Sequence, residues 1–197
     1  DDFRRYEPAA ELHPIGHDDL MVLMFTSGTT GISKGVMMSE RNLFSAGVIM
    51  WAVSAQVEPR LKVKDPLPGH YMMLPMFHLG AFIDLFSTTV MGWPLNLGFD
   101  ARNFYRDIQK MPSQIMSVVP VIMNSLHKDV MRGRRDRLGD LWTFIGSSAM
   151  FDPQVLLDMV NNGMFIVQCY GATETCAAGI INFAQDEKHI GAVGQGS

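Results

Sequence analysis

Short apolar runs and amphipathic stretches alternate along this 197-residue chain. Leu20 to Phe25 is continuously apolar and predicts a buried strand over residues 20–26. A second short strand is expected at 35–38, and Ser39 is placed to N-cap a helix over about residues 40–55. Within it Leu43, Phe44, Gly47, Val48 and Trp51 recur at helical spacing and mark a core-facing stripe. Residues 56–69 are polar, carry Pro59, Pro66 and Pro68, and read as a loop. Tyr71 to Leu74 is a strand closed by Pro75, and Phe77 to about Met91 a helix running into a strand at Thr88-Thr89-Val90. A helix from Asp100 or Asn103 to Lys110, a strand at 114–119 and a helix opened by Pro120 follow. Then come a strand at 141–145, a helix from Asp152-Pro153 stopped by Gly163, and a strand at 165–169 leading into a loop with Thr173 and Glu174.

Strands alternating with helices of this length are the mark of βαβ units. The fold class is therefore α/β, a mainly parallel sheet with helices on both faces. Residues 1–19 show no periodicity and form an irregular lead-in to one domain over 20–197. In parallel sheets ligands sit beyond the carboxyl ends of the strands. Three polar, Gly- or Ser-rich loops follow strands, at 26–35, 146–149 and 170–176, and the architecture makes them converge. The final stretch, Gly191 to Ser197, is an open glycine run in which no closing strand or helix is expected.

Composition narrows the classes. The net charge of −4 argues against general nucleic-acid binding. No apolar run approaches the roughly 20 residues of a membrane helix, and no apolar h-region follows the charged N-terminus. Cys169 and Cys176 are too few for a disulfide framework or a zinc site and read as free thiols in a reducing cytosol. His13 and His17 are separated by Pro14 and Gly16, which exclude the helical geometry that would pair them on a metal. The basic run Arg132 to Arg137 reads as a solvated loop. The sixteen methionines read as core filler.

The densest chemistry lies in Thr26-Ser27-Gly28-Thr29-Thr30-Gly31-Ile32-Ser33-Lys34-Gly35. Glycines let backbone N–H groups approach an oxyanion, hydroxyls add rotatable donors, and Lys34 adds a mobile positive charge. The stretch is a phosphate loop, but not a Walker A loop, because Ser33 precedes and Gly35 follows the lysine. Nor is there a serine-nucleophile elbow. Phe25 replaces the first glycine around Ser27, and Met150 the last around Ser148.

T-S-G-T-T-G-x-x-K-G resembles the phosphate-loop signature of the adenylate-forming enzymes, which include acyl- and aryl-CoA synthetases, peptide-synthetase adenylation domains and beetle luciferases. The family usually has proline at the position of Ser33. Further motifs follow in family order: Leu74-Pro75-Met76-Phe77-His78, then Gly146-Ser147-Ser148-Ala149, then Tyr170-Gly171-Ala172-Thr173-Glu174, then Gly191-Ala192-Val193-Gly194. Ser147 and Ser148 stand where relatives carry Gly, or Gly and Ala. The resemblance implies part of the large N-terminal domain of an acyl-CoA synthetase-like fold. It places Ser27, Gly28, Thr29, Thr30, Gly31 and Lys34 on the β- and γ-phosphates of ATP, with Thr26 also nucleotide-binding, and Thr173 on the α-phosphate. Glu174 becomes a Mg²⁺ ligand, with Thr29 a further candidate. Tyr170, Gly171, Gln168 and the loop Ser147, Ser148, Ala149 hold the adenine end, and His78 borders the substrate carboxylate.

The implied activity is ATP-dependent, AMP-forming ligation of a carboxylic acid to coenzyme A. A peptide-synthetase-like adenylation domain and a non-catalytic nucleotide-binding module are the alternatives. Met76, Phe77, Leu79, Ala81 and Phe82 suggest an apolar substrate tail, and no aspartate stands in this stretch before Asp84. A fatty or aryl acid is expected, with a cytoplasmic enzyme that becomes peripheral at membranes if the acid is long-chain. Relatives also need a downstream aspartate for the ribose and a small C-terminal domain with a catalytic lysine, for which these residues leave no room. The chain alone is expected to show little or no ligase activity.

Overall fold

The computed structural model describes residues 5, 7, 11, 13–26, 33–57 and 69–196. Ser27 to Gly31, the centre of the expected phosphate loop, lie outside the described residues. The elements are β1 (Leu20–Thr26), β2 (Lys34–Ser39), α1 (Glu40–Val57), β3 (His70–Met72), α2 (Leu79–Met91), β4 (Leu95–Leu97), α3 (Phe104–Lys110), β5 (Ile115–Val118), α4 (Pro120–Met131), β6 (Thr143–Gly146), α5 (Pro153–Asn161), β7 (Phe165–Ala172), β8 (Ala177–Asn182) and β9 (Gln195–Gly196).

A seven-stranded sheet runs in the order β4-β3-β5-β6-β7-β8-β9. The first five are parallel, and β8 and β9 join antiparallel. The α/β class, with helices on both faces, is as expected. Residues alternate between two cores as a strand's period of two requires. Met116, Val118, Phe144 and Ile166 pack with α3, α4 and α5 on one face. Ile115, Ile145, Phe165 and Val167 pack with α1 and α2 on the other. Each such fully buried side chain contributes about 1.5–3 kcal/mol, so the middle of the sheet is the most strongly fixed part of the molecule.

Several expectations are corrected. Residues 20–26 are not a buried strand of the sheet. They pair antiparallel with β2 in a separate two-stranded hairpin, where Met24 is buried but Leu20, Leu23 and Phe25 are at least half exposed. A continuous apolar run cannot distinguish a strand covered on both faces from a hairpin covered on one. The buried stripe of α1 is Leu43, Ala46, Gly47, Met50, Val53 and Val57, whereas Phe44, Val48 and Trp51 face outward. Two apolar faces share this helix, and the one with small residues allows the close approach to α2: a Cβ on Gly47 would stand 3.0 Å from Phe86.

Thr88 to Val90 belong to α2 rather than to a strand. Ser87, Thr88 and Thr89 turn their hydroxyls back onto the carbonyls of Ile83, Asp84 and Leu85. The hydroxyls are thus satisfied within the helix and need no strand partner. The helix ends at Gly92 with φ 67°. The glycine run does close: β9 pairs with Ile180 and Ile181 of β8. Gly194, at φ 112°, passes against the Ile181 carbonyl where a Cβ would collide.

The basic run is structural rather than a solvated loop. Arg134 and Arg137 pair with buried Asp129 of α4, and Arg137 also lies 3.8 Å from the centroid of the Tyr105 ring. Arg135 donates to the carbonyls of Gly139 and Leu141. Tyr105 donates to Asp129, and this bond, with the two arginines, holds the carboxyl below its usual range. A depressed pKa contributes stability that is present above the unfolded value near 4 and is lost as pH falls through the lower folded value. Asp129→Asn should therefore flatten the acid limb of a stability–pH curve measured by urea unfolding between about pH 5 and pH 2.

Gly98 has a different constraint. Its N–H donates to Met72 O at 2.8 Å, and a Cβ there would stand 2.0 Å from the hydroxyl of fully buried Tyr71. Because that ring is walled in by Phe104 and cannot swing away freely, Gly98→Ala should cost about 1–3 kcal/mol in urea unfolding.

Candidate functional site

The parallel strands deliver their carboxyl ends to one edge, and there the chain forms a cavity of about 560 Å³. Its wall includes Thr26 and Lys34, Ser147 and Ser148, and Gly171 to Glu174, so the three loops expected to converge do so through their described residues. Each arrives for a local reason. Thr26 and Lys34 are paired in the hairpin register, so both ends of the segment joining β1 to β2 are held at the cavity.

The second loop leaves β6 at Gly146, where a Cβ would press within 2.8 Å of buried Phe151. Ser148 has φ 75°, a conformation that suits glycine. The third departs from the expected boundary. β7 continues through Ala172 instead of ending at Cys169, and Thr173–Thr175 then form a 3₁₀ turn. Thr175 donates to Ala172 O and accepts from Ala172 N, closing the turn. Thr175 thereby does the local capping, while Thr173 and Glu174 line the cavity.

His78 has two roles in the structure. It N-caps α2, Nδ1 accepting from Gly80 N at 3.2 Å, and it lines the cavity from an exposed position. Lys34 and Glu174 are likewise exposed. Among the described residues three candidates are not in the wall. Tyr170 is 62% exposed, Ala149 is exposed beside Ser148, and Gln168 uses its amide to donate to Ile190 O. Gln168 thus ties β7 to the turn before β9.

Of the apolar residues proposed for a tail, Leu79 lines the cavity and Ala81 is buried, whereas Met76 and Phe77 stand out in solvent. Met50, Ile83, Asp84, Ser117, Ile145 and Cys169 also line it. Sequence reasoning did not assign them to the site. One signal was available: Asp84 is a lone charge within the otherwise uncharged helix Leu79–Met91. Burial, reinforced by the nearby Asp84 carboxyl, pushes the Cys169 thiol up to about 12, so it is an inert wall group and not a nucleophile.

Among the described residues no three His, Cys, Asp or Glu side chains gather into a metal cluster. Glu174 beside the Thr173 hydroxyl supplies hard oxygen atoms of the kind Mg²⁺ takes when it keeps most of its shell from water and phosphate. An exposed lysine and a threonine hydroxyl on the same rim suit polyphosphate. No described helix is long and apolar enough to cross a membrane.

Comparison with known proteins agrees. The chain is 31% identical over 172 residues to a 2-succinylbenzoate–CoA ligase of Bacillus licheniformis, covering 86% of this chain and 34% of that protein. It is 29% identical over 182 residues to the long-chain-fatty-acid–CoA ligase FadD13 of Mycobacterium tuberculosis, covering 91% of this chain and 34% of that protein. It therefore spans about a third of the length of these relatives. In structure it resembles the N-terminal domain of M. tuberculosis FACL13, with a TM-score of 0.78 at 23% identity over 98% of this chain and 47% of that one. It also resembles the Bacillus subtilis o-succinylbenzoate-CoA synthetase solved with ATP and magnesium, with a TM-score of 0.76 at 22% identity over 96% of this chain and 39% of that one. The family pattern of the AMP-binding enzymes matches residues 2–196, and the chain belongs to that family.

Proposed function

We propose that this chain forms the nucleotide- and acyl-binding part of an AMP-forming ligase that joins a fatty or aryl carboxylic acid to coenzyme A. One observation carries the proposal: a single cavity has Lys34, His78, Thr173 and Glu174 on its polar rim and Met50, Leu79, Ile83 and Ile145 in its apolar wall. That is the polarity a carboxylate with an apolar tail needs when it meets a triphosphate. The names of the relatives, CoA ligases for aryl and fatty acids, support the same class.

In this proposal Lys34, with Thr26 and the segment Ser27 to Gly31, holds the β- and γ-phosphates. Thr173 donates to an α-phosphate oxygen, and His78 borders the carboxylate. Ser147, Ser148, Ala149, Tyr170 and Gly171 hold the adenine end. Mg²⁺, when bound through Glu174, neutralises phosphate charge. A carboxylate oxygen attacks the α-phosphorus, the bond to the bridging oxygen breaks, and pyrophosphate leaves. The thiolate of coenzyme A then takes the acyl group and AMP departs. The residues act by orientation and charge complementarity, since phosphoryl and adenylyl transfer ask little covalent chemistry of the protein.

The test is carboxylate-dependent exchange of pyrophosphate into ATP, measured on the whole protein that contains this chain, across a panel of fatty and aryl acids. Lys34→Ala and Glu174→Gln should each lower exchange by about a hundredfold or more. Unchanged exchange in both would overturn the assignment. The 197 residues alone should show little or no exchange, and full-enzyme rates from them would refute that part of the proposal.

A further inference from the structure

The residues proposed to hold the phosphates come from two separate sheets. Lys34 opens β2 of the hairpin, whereas Thr173 and Glu174 follow β7 of the seven-stranded sheet. Among the described residues no strand pairing joins the hairpin to that sheet. The placing of Lys34 across the cavity from Thr173 and Glu174 is therefore a matter of side-chain packing, not of a hydrogen-bonded ladder.

One contact bridges the two. Met38 of β2 is 1% exposed, and its Sδ lies 3.6 Å from Sγ of Cys176. Met38 follows Lys34 on the same strand, roughly 13 Å along it. Cys176 closes the 3₁₀ turn Thr173–Thr175, its N–H donating to the Thr173 carbonyl at 3.1 Å. Its backbone has φ 52°, a left-handed conformation that is costly for a residue with a Cβ. Such a conformation persists where the surroundings pin the residue, and here the half-buried thiol packs into the core that holds Met24 and Met38. A free cysteine acts there as a small apolar group with a weak S–H donor, which suits a thioether partner.

We infer that Met38 and Cys176 are positioning residues, whose contact fixes the hairpin against the turn and so sets Lys34 at the separation from Thr173 and Glu174 that one triphosphate spans. This rests on the ligase proposed above, in which Lys34 meets the β- and γ-phosphates and Thr173 and Glu174 the α-phosphate and its metal. A triphosphate needs both sides at once. AMP, with its α-phosphate alone, needs only the turn. A tilt of the hairpin at Met38 is carried along β2 to Lys34, while the turn keeps its own closure through Thr175 and Ala172.

Two probes separate this role from general packing: α,β-methylene-ATP with Mg²⁺, which cannot be cleaved between the α- and β-phosphates, and AMP. Both are titrated calorimetrically into the whole protein that contains this chain. Cys176→Gly removes the thiol but takes φ 52° without strain, so the turn keeps its shape. It should weaken the ATP analogue about tenfold and leave AMP within about twofold. Met38→Ala should show the same split, and Met38→Leu, which conserves volume, should restore the binding of the unaltered protein. Cys176 is only half-buried, so its variant carries the test even if Met38→Ala does not fold. In a Lys34→Ala background Cys176→Gly should lose most of its effect, because the contact acts through Lys34.

Equal losses for the two probes would reduce the contact to ordinary core packing and overturn the inference. Unchanged binding of the ATP analogue by Cys176→Gly would overturn it too, as would an equal loss with and without Lys34. Each of these results leaves the ligase proposal standing. Failure of the unaltered protein to bind either probe would strike the ligase proposal itself and this inference with it.

Discussion

Burial of β5, β6 and β7 on both faces is the constraint on which the rest of the molecule depends. Once Met116, Phe144 and Ile166 face one layer of helices and Ile115, Ile145 and Val167 the other, a shift by one residue would exchange every side chain between the two cores. Register is therefore fixed, and with it the level at which each strand ends. Val118 pairs with Gly146, and Gly146 with Gln168, so the loops that follow start from adjacent points on one edge. The cavity is a consequence of that shared edge.

The hairpin obeys a different logic. It lies outside the seven-stranded sheet and contributes Met24 and Met38 to the core beneath α1 and α2. Its register sets Thr26 opposite Lys34, so a cation enters the cavity from an element whose own apolar surface is largely uncovered. Leu23, Phe25 and Met37 on the hairpin and Phe44 and Trp51 on α1 are exposed.

The parts legible in the sequence were those with a local cause. Apolar β5, β6 and the start of β7, the prolines at the first turns of α4 and α5, Gly163 behind α5 and the Thr-Glu pair after β7 each announce themselves within a few residues. What escaped depended on partners far along the chain. β8 reads Ala-Ala-Gly-Ile-Ile-Asn, with no alternation, and β9 is two residues of a glycine run; both exist because an edge is available to pair with. The face of α1 could not be chosen from spacing because it has two apolar stripes, and packing against α2 decided between them. Arg137 and Arg134 looked like solvated surface because their carboxylate, Asp129, belongs to the preceding helix and sits buried.

The same distinction separates the two halves of the site. Its rim is written in contiguous motifs, since phosphate recognition needs several small and hydroxylic residues side by side on one loop. Its inner wall is assembled from four residues of α2 and one each of α1, β5 and β6, and carries no motif at all. In the ligase we propose, phosphate chemistry resides on loops and selection of the acid falls to helix and strand positions whose meaning depends on depth. Asp84 illustrates the difference. On an exposed helix face it would be one more surface acid. Opposite Ser117 and His70, under apolar cover, it is a buried carboxyl whose pKa burial raises.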